Sequence, residues 1–178
     1  MNSRPDRPAL ATLFEGSPRF LAHLDAAGPF DTMDDLLVAA RRIAHAMPEG
    51  EQIELIDAHP RLGAPPGTVS AMSHTEQGYD RETGTEPTEP TEPTEPRTTD
   101  VAAELERLND AYEARFGFRY CVFVAGRPRE ALLPGMTAAL DHDRDAELHR
   151  ALDAVVDIAI DRHAKLIPST ARDTEVRR

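Results

Sequence analysis

Apolar residues recur three and four positions apart along most of this chain, a spacing that lines one helix face and leaves no room for strand-like alternation. Leu148, Leu152, Val155, Ala159, His163 and Leu166 carry it through a long closing segment that Pro168 ends. Met33, Leu36, Leu37, Ala40, Ile43 and Met47 carry it through another, and Asp31, Asp34 and Asp35 crowd its start, where the helix dipole favours negative charge. Ser17 before Pro18 has the form of a cap with proline in the first turn, and Gly28 closes that helix. Gly50 to Ala58 supplies a short helix bearing Ile53, Leu55 and Ile56. Val101, Leu105, Leu108, Tyr112 and Phe116 form a further stripe that Gly117 stops. Leu132, Met136 and Leu140 mark a helix expected to be irregular around Pro134. The run Phe118 to Val124 is strand-like but has no partner run, so an extended connection packed on helices is expected. The fold class expected is all-α: a helical bundle of one domain over residues 1–178, with one short extended segment after Gly117.

One stretch cannot join that bundle. Glu86 to Pro96 is a Glu-Pro-Thr repeat, in which proline at every third position removes helix donors and the carboxylates repel one another. Residues about 84–98 are therefore expected as a disordered or polyproline-like loop rather than a domain boundary. The formal charge of −12 argues against nucleic acid or an anionic membrane as partner. An anionic substrate would need local arginines to overcome that field. Cys121 is the single cysteine, which rules out an internal disulfide and any multi-cysteine zinc site. No secretory leader, bilayer-spanning run or Ser-Lys-Leu address stands out, so a cytoplasmic protein is expected.

Three segments carry candidate chemistry. His59 follows a helical stretch and precedes Pro60, which disfavours helical geometry at the histidine. The pair is either plain helix punctuation or an imidazole presented from a fixed turn to shuttle protons. Ser73 and Glu76 have capping-box spacing, so they either start a helix or, with Gln77, surround a small nitrogen-rich ligand. Arg119 and Arg127 bracket an apolar run, and guanidinium groups at the ends of a rigid segment suit bidentate capture of a carboxylate. The other polar positions read more plainly. His163 is expected as a packing residue. His142 and His149, among Asp141, Asp143, Asp145 and Glu147, are expected on a solvated acidic face rather than around a metal, and Cys121 as a small apolar group.

Taken in order, Ala58-His59-Pro60 with Leu62-Gly63, then Ser73 with Glu76-Gln77, then Asn109, Tyr112 and Phe116-Gly117-Phe118 resemble the 2-oxo-4-hydroxy-4-carboxy-5-ureidoimidazoline (OHCU) decarboxylases. Leu13-Phe14-Glu15-Gly16-Ser17-Pro18 and the closing helices extend the likeness over nearly the whole chain. The resemblance implies a helical enzyme without cofactor or metal that converts OHCU to (S)-allantoin and carbon dioxide in urate degradation, with a homodimer as the assembly to expect. It makes His59 and Glu76 the catalytic pair and Ser73 and Gln77 substrate-binding. It also brings Pro60 and the segment Phe118, Arg119, Tyr120, Cys121 and Val122 to the ligand. This chain has Arg119 where the family usually has proline and Ala125 where many members have arginine, which leaves Arg127 as the candidate carboxylate clamp. It also has Arg19 where Ser-Pro-Trp is frequent, and Pro65-Pro66-Gly67 in the spacer before Ser73. Two alternatives stand beside this reading. One is a relative acting on a different ureido-carboxylate; the other is a non-catalytic helical module that recruits partners through the Glu-Pro-Thr repeat.

Overall fold

The closing helix is buried on so many sides that the rest of the molecule must be built around it. In the computed structural model, which describes residues 7–77 and 97–166, this helix runs Arg144–Leu166. It buries Leu148, Ala151, Leu152, Ala154, Val155, Val156, Ile158 and Ala159. A helix apolar over that width belongs in a core rather than on a surface. In chain order the helices are α1 (Arg7–Leu13), α2 (Pro18–Ala27), α3 (Met33–Ala46), α4 (Glu49–Asp57), α5 (Ala71–Glu76), α6 (Arg97–Phe116), α7 (Leu133–Ala139) and α8, the closing helix. Helices α1, α3 and α4 pack on α8, α2 packs on α3 and α4, and α7 lies against α6. No strand occurs among the described residues, and the expected extended connection after Gly117 is present without regular structure.

Local signals account for most of the boundaries. Thr32 caps α3 by accepting from the Asp35 N–H, and Gly117 takes φ 80° after α6, a conformation that suits glycine. Several expectations need correction. Ser17 occupies the cap position of α2, but its hydroxyl makes no cap hydrogen bond. Pro134 does not disturb its helix; it sits in the first turn of α7, where a missing N–H costs nothing. Arg97 and Thr98 are already helical, so the loop ends sooner than its composition suggested. The Glu-Pro-Thr repeat itself lies outside the described residues, as does Pro168. Glu147 is not on a solvated face: it is buried, accepting from the Tyr112 hydroxyl at 2.6 Å.

The loop after α4 is tied down from three directions. Asn109 of α6 donates to the Leu62 carbonyl at 2.9 Å. Arg61 makes a two-pronged contact with Glu113, at 2.8 and 2.6 Å. Gln77 accepts from the Gly63 N–H at 2.8 Å and donates to the Arg61 carbonyl at 3.2 Å. Gly63 is at φ +81°, and a Cβ there would sit 3.0 Å from Leu105, so this turn needs glycine twice over. The result is a rigid platform for His59.

Candidate active site

A cavity of about 430 Å³ opens between the loop after α4, helix α5, the segment after α6 and the last turns of α8. That volume suits a small heterocycle. His59, Pro60, Ser73, Glu76 and Gln77 line it together with Tyr120 to Gly126, Ile158, Asp161 and Lys165. The imidazole and the carboxylate singled out in sequence, 17 positions apart, thus share one wall.

His59 leaves α4 just past its last turn and is nearly fully buried. Its Nδ1 lies 3.4 Å from the Leu55 carbonyl, an acceptor only, so Nδ1 carries the proton and Nε2 presents a lone pair. That Nε2 has no hydrogen-bond partner among the described residues. Burial, then the Arg162 guanidinium, push the imidazole down to about 4; Glu15 and the Leu55 carbonyl pull the other way and lose. The ring is neutral near pH 7.

Glu76 is held by a residue that sequence reasoning missed. Arg162 of α8, fully buried, forks onto it with Nε to Oε1 at 2.6 Å and Nη2 to Oε2 at 2.8 Å. The same guanidinium contacts Glu15 at 2.6 Å and the Ser73 hydroxyl at 3.1 Å. Ser73 donates to Glu15 at 2.6 Å, and Ser70 donates there too at 2.9 Å. Burial opposes ionisation of Glu15, but these hydrogen bonds and the Arg162 charge prevail and hold its carboxyl below the ordinary value. Glu15 also sits at φ 52°, a left-handed backbone unusual for a side chain of its size. Ser73 is therefore no cap: Ser70 caps α5, and Ser73 faces inward one turn on. A signal for Arg162 existed, since it continues the α8 stripe three residues past Ala159 and four past Ile158, whereas His163 lies beside that stripe and is only partly buried.

The two candidate clamps stand elsewhere. Arg119 donates to the carbonyls of Asp57 and His59 at 2.7 and 3.0 Å and faces a separate depression. Arg127 folds back on its own loop, donating to the Phe123 and Val124 carbonyls at 2.6 and 2.9 Å, and is not part of the cavity wall. Phe118 is buried behind the wall, its ring 5.8 Å from that of Tyr112. Cys121 does line the cavity, but burial pushes its thiol up to about 12, which removes it as a nucleophile near neutrality. Among the described residues no group of histidines and acids could hold a metal ion, and His142 instead pairs with Glu147 at 2.7 Å. No described helix is long and apolar enough to cross a membrane.

The fold and site define a helical protein whose cavity pairs a neutral, buried imidazole in its wall with a guanidinium-held carboxylate, equipment for moving protons on a small polar molecule. A family model described as OHCU decarboxylase matches residues 1–164, and the chain belongs to that family. It is 26% identical over 151 residues to the 2-oxo-4-hydroxy-4-carboxy-5-ureidoimidazoline decarboxylase of Haloferax volcanii, over 85% of this chain and 82% of the relative. It is 28% identical over its full 178 residues to the uric acid degradation bifunctional protein PucL of Bacillus subtilis, of which it covers 33%. Its fold is similar to that of an OHCU decarboxylase crystallised in the presence of (S)-allantoin. The TM-score is 0.65 at 22% identity, over 89% of this chain and 96% of that one. An (S)-allantoin synthase matches with a TM-score of 0.60 at 19% identity, over 89% of this chain and 48% of that one.

Proposed function

We propose that the chain decarboxylates OHCU to (S)-allantoin, with His59 as the proton carrier and Glu76 as the group that orients the substrate. The observation that carries this reading is the unpartnered Nε2 of His59 in the same cavity wall as Glu76. Breaking the bond to the carboxyl carbon releases carbon dioxide, and its electron pair forms a ring carbon–carbon double bond. The ring carbon–nitrogen double bond is the sink, its nitrogen taking a proton. The hydroxyl proton then leaves, a carbonyl forms, and the ureido-bearing carbon takes a proton on one face. His59 accepts the hydroxyl proton at Nε2. An imidazolium in that setting is a strong acid, so it returns the proton readily. Glu76, with its charge balanced by Arg162, accepts from ureido or ring N–H groups and fixes which face is protonated. The chain acts as one cytoplasmic domain on a small molecule, without nucleic acid or membrane, and a homodimer is the expected assembly.

The test supplies OHCU freshly made from urate by urate oxidase and hydroxyisourate hydrolase, and follows allantoin by chiral detection. The expected result is the (S) enantiomer formed faster than the spontaneous reaction. Racemic product at the spontaneous rate would sink the assignment and favour another ureido-carboxylate as substrate.

A further inference from the structure

An anionic substrate has to meet a cation on its way into this cavity, and the arginines do not supply one. Arg119 and Arg127 are engaged with carbonyls elsewhere. Arg162 stands behind Glu76, with all three of its nitrogens donating to protein oxygens. His59 is neutral. Among the described residues that line the cavity, Lys165 is the only cationic side chain. It is also the only lysine among the 20 lysine and arginine residues of the chain.

Helix periodicity places it there. Ile158, Asp161 and Lys165 follow one another at three- and four-residue spacing, so a single face of α8 gives the cavity an apolar side chain, a carboxylate and an ammonium. Lys165 pairs with Asp161 at 2.5 Å, and its side chain is 55% exposed against 27% for its partner. The wall already carries the Glu76 and Asp161 carboxylates, and one guanidinium is shared between Glu76 and Glu15. Without Lys165 an entering carboxylate would meet only negative charge, in a chain whose formal charge is −12. An arginine would fork onto Asp161 and stay. A lysine is a compact charge on a flexible stem, with no planar geometry to satisfy, so it can trade one carboxylate for another.

We propose that Lys165 is a specificity-determining residue, which exchanges Asp161 for the carboxylate of the incoming substrate and returns to Asp161 when that group is lost. The inference rests on the decarboxylase reading above. Loss of carbon dioxide, with a proton taken up in its place, turns an anion into a neutral product. The ammonium then falls back on Asp161, so the same pair admits the carboxylate and lets the product go. Because the contact is made to the ground-state carboxylate, it acts on binding rather than on the chemical step.

The experiment labels the full chain with [ε-¹³C]lysine, which gives one signal because there is one lysine. It is titrated with N-carbamoylglycine, a stable ureido-carboxylate, and with the neutral N-carbamoylglycinamide. The Lys165 signal should move with the acid and not with the amide. Lys165→Met should weaken binding of the acid, and raise KM for OHCU, by about 5-fold with a smaller change in kcat. Lys165→Glu should do so by about 10-fold or more, with Lys165→Arg keeping most of the affinity. Asp161→Asn, which removes the competing carboxylate, should tighten binding of the acid by about 2- to 5-fold. The amide and (S)-allantoin should bind all variants alike, and the exposed control Arg107→Met should match wild type. Lys165 is exposed, so its variants leave the core untouched. Failure of the acid to bind, a Lys165 signal unmoved at saturation, or a wild-type KM in Lys165→Met overturns the proposal while leaving the decarboxylase reading intact. A responsive Lys165 in a chain that does not process OHCU would sink the reaction instead and leave the carboxylate contact standing.

Discussion

Two buried ionic networks hang on α8, one near each end, built from the same residue types. Near the start, Glu147 accepts from Tyr112, Arg150 and His142, and the chain of bonds ends on the Cys121 carbonyl. Burial opposes ionisation of Glu147, but these partners win and hold its carboxyl low, and burial with the same carboxylate pushes the Tyr112 phenol up. Near the end, Arg162 gathers Glu15, Glu76 and Ser73, and here Glu76 faces the cavity. The first network is closed on protein groups; the second leaves one carboxylate edge for a ligand. A buried charge pair by itself therefore does not mark a site. The open valence does.

That contrast can be broken by experiment. The largest effect belongs to the open network's neighbour: His59→Ala should lower kcat by about 10²–10⁴-fold while circular dichroism stays native. Arg162→Met should strand two carboxylates, costing about 3–5 kcal/mol in denaturant unfolding and lowering kcat by about 10²-fold. Glu147→Gln, in the closed network, should cost about 1–3 kcal/mol yet keep most of kcat. If Glu147→Gln loses activity as fully as Arg162→Met, the distinction between the two networks fails.

The pH dependence sharpens the comparison further. The His59 imidazole falls from an ordinary 6.5 to about 4 on folding, so the unfolded chain binds more protons between those values. Its stability contribution is whole above 6.5 and drains away as pH falls towards 4, and turnover should likewise persist below 6.5 and collapse near 4. The lowered Glu15 carboxyl acts in the same direction below its ordinary 4.5. Urea midpoints for wild type and His59→Gln should converge as pH falls through this window. The smallest effect is local: Ala125 holds φ 53°, and Ala125→Gly should raise stability by at most about 1 kcal/mol, read as a shift in Tm.

Much of this was legible along the chain. The α3, α6 and α8 stripes, the stop at Gly117 and the absence of a strand partner after it all follow from neighbours three or four residues apart. His59 and Glu76 could be picked out because short motifs name them, and the fold brings both to one cavity wall. The roles of Arg119, Arg127 and Ser73 were not. A side chain with five donors can serve a ligand or its own main chain, and a capping-box spacing can begin a helix or lie inside one.

Local spacing and composition were enough to determine α3, α6 and α8, since a helix closes its hydrogen bonds within a turn and needs only one apolar face to find a core. The partners of Arg162 lie 86 and 147 positions away, and no local pattern encodes them. Only the packing of α1 and α5 against α8 brings those carboxylates to one guanidinium, because a buried charge takes whatever opposite charge the fold places beside it.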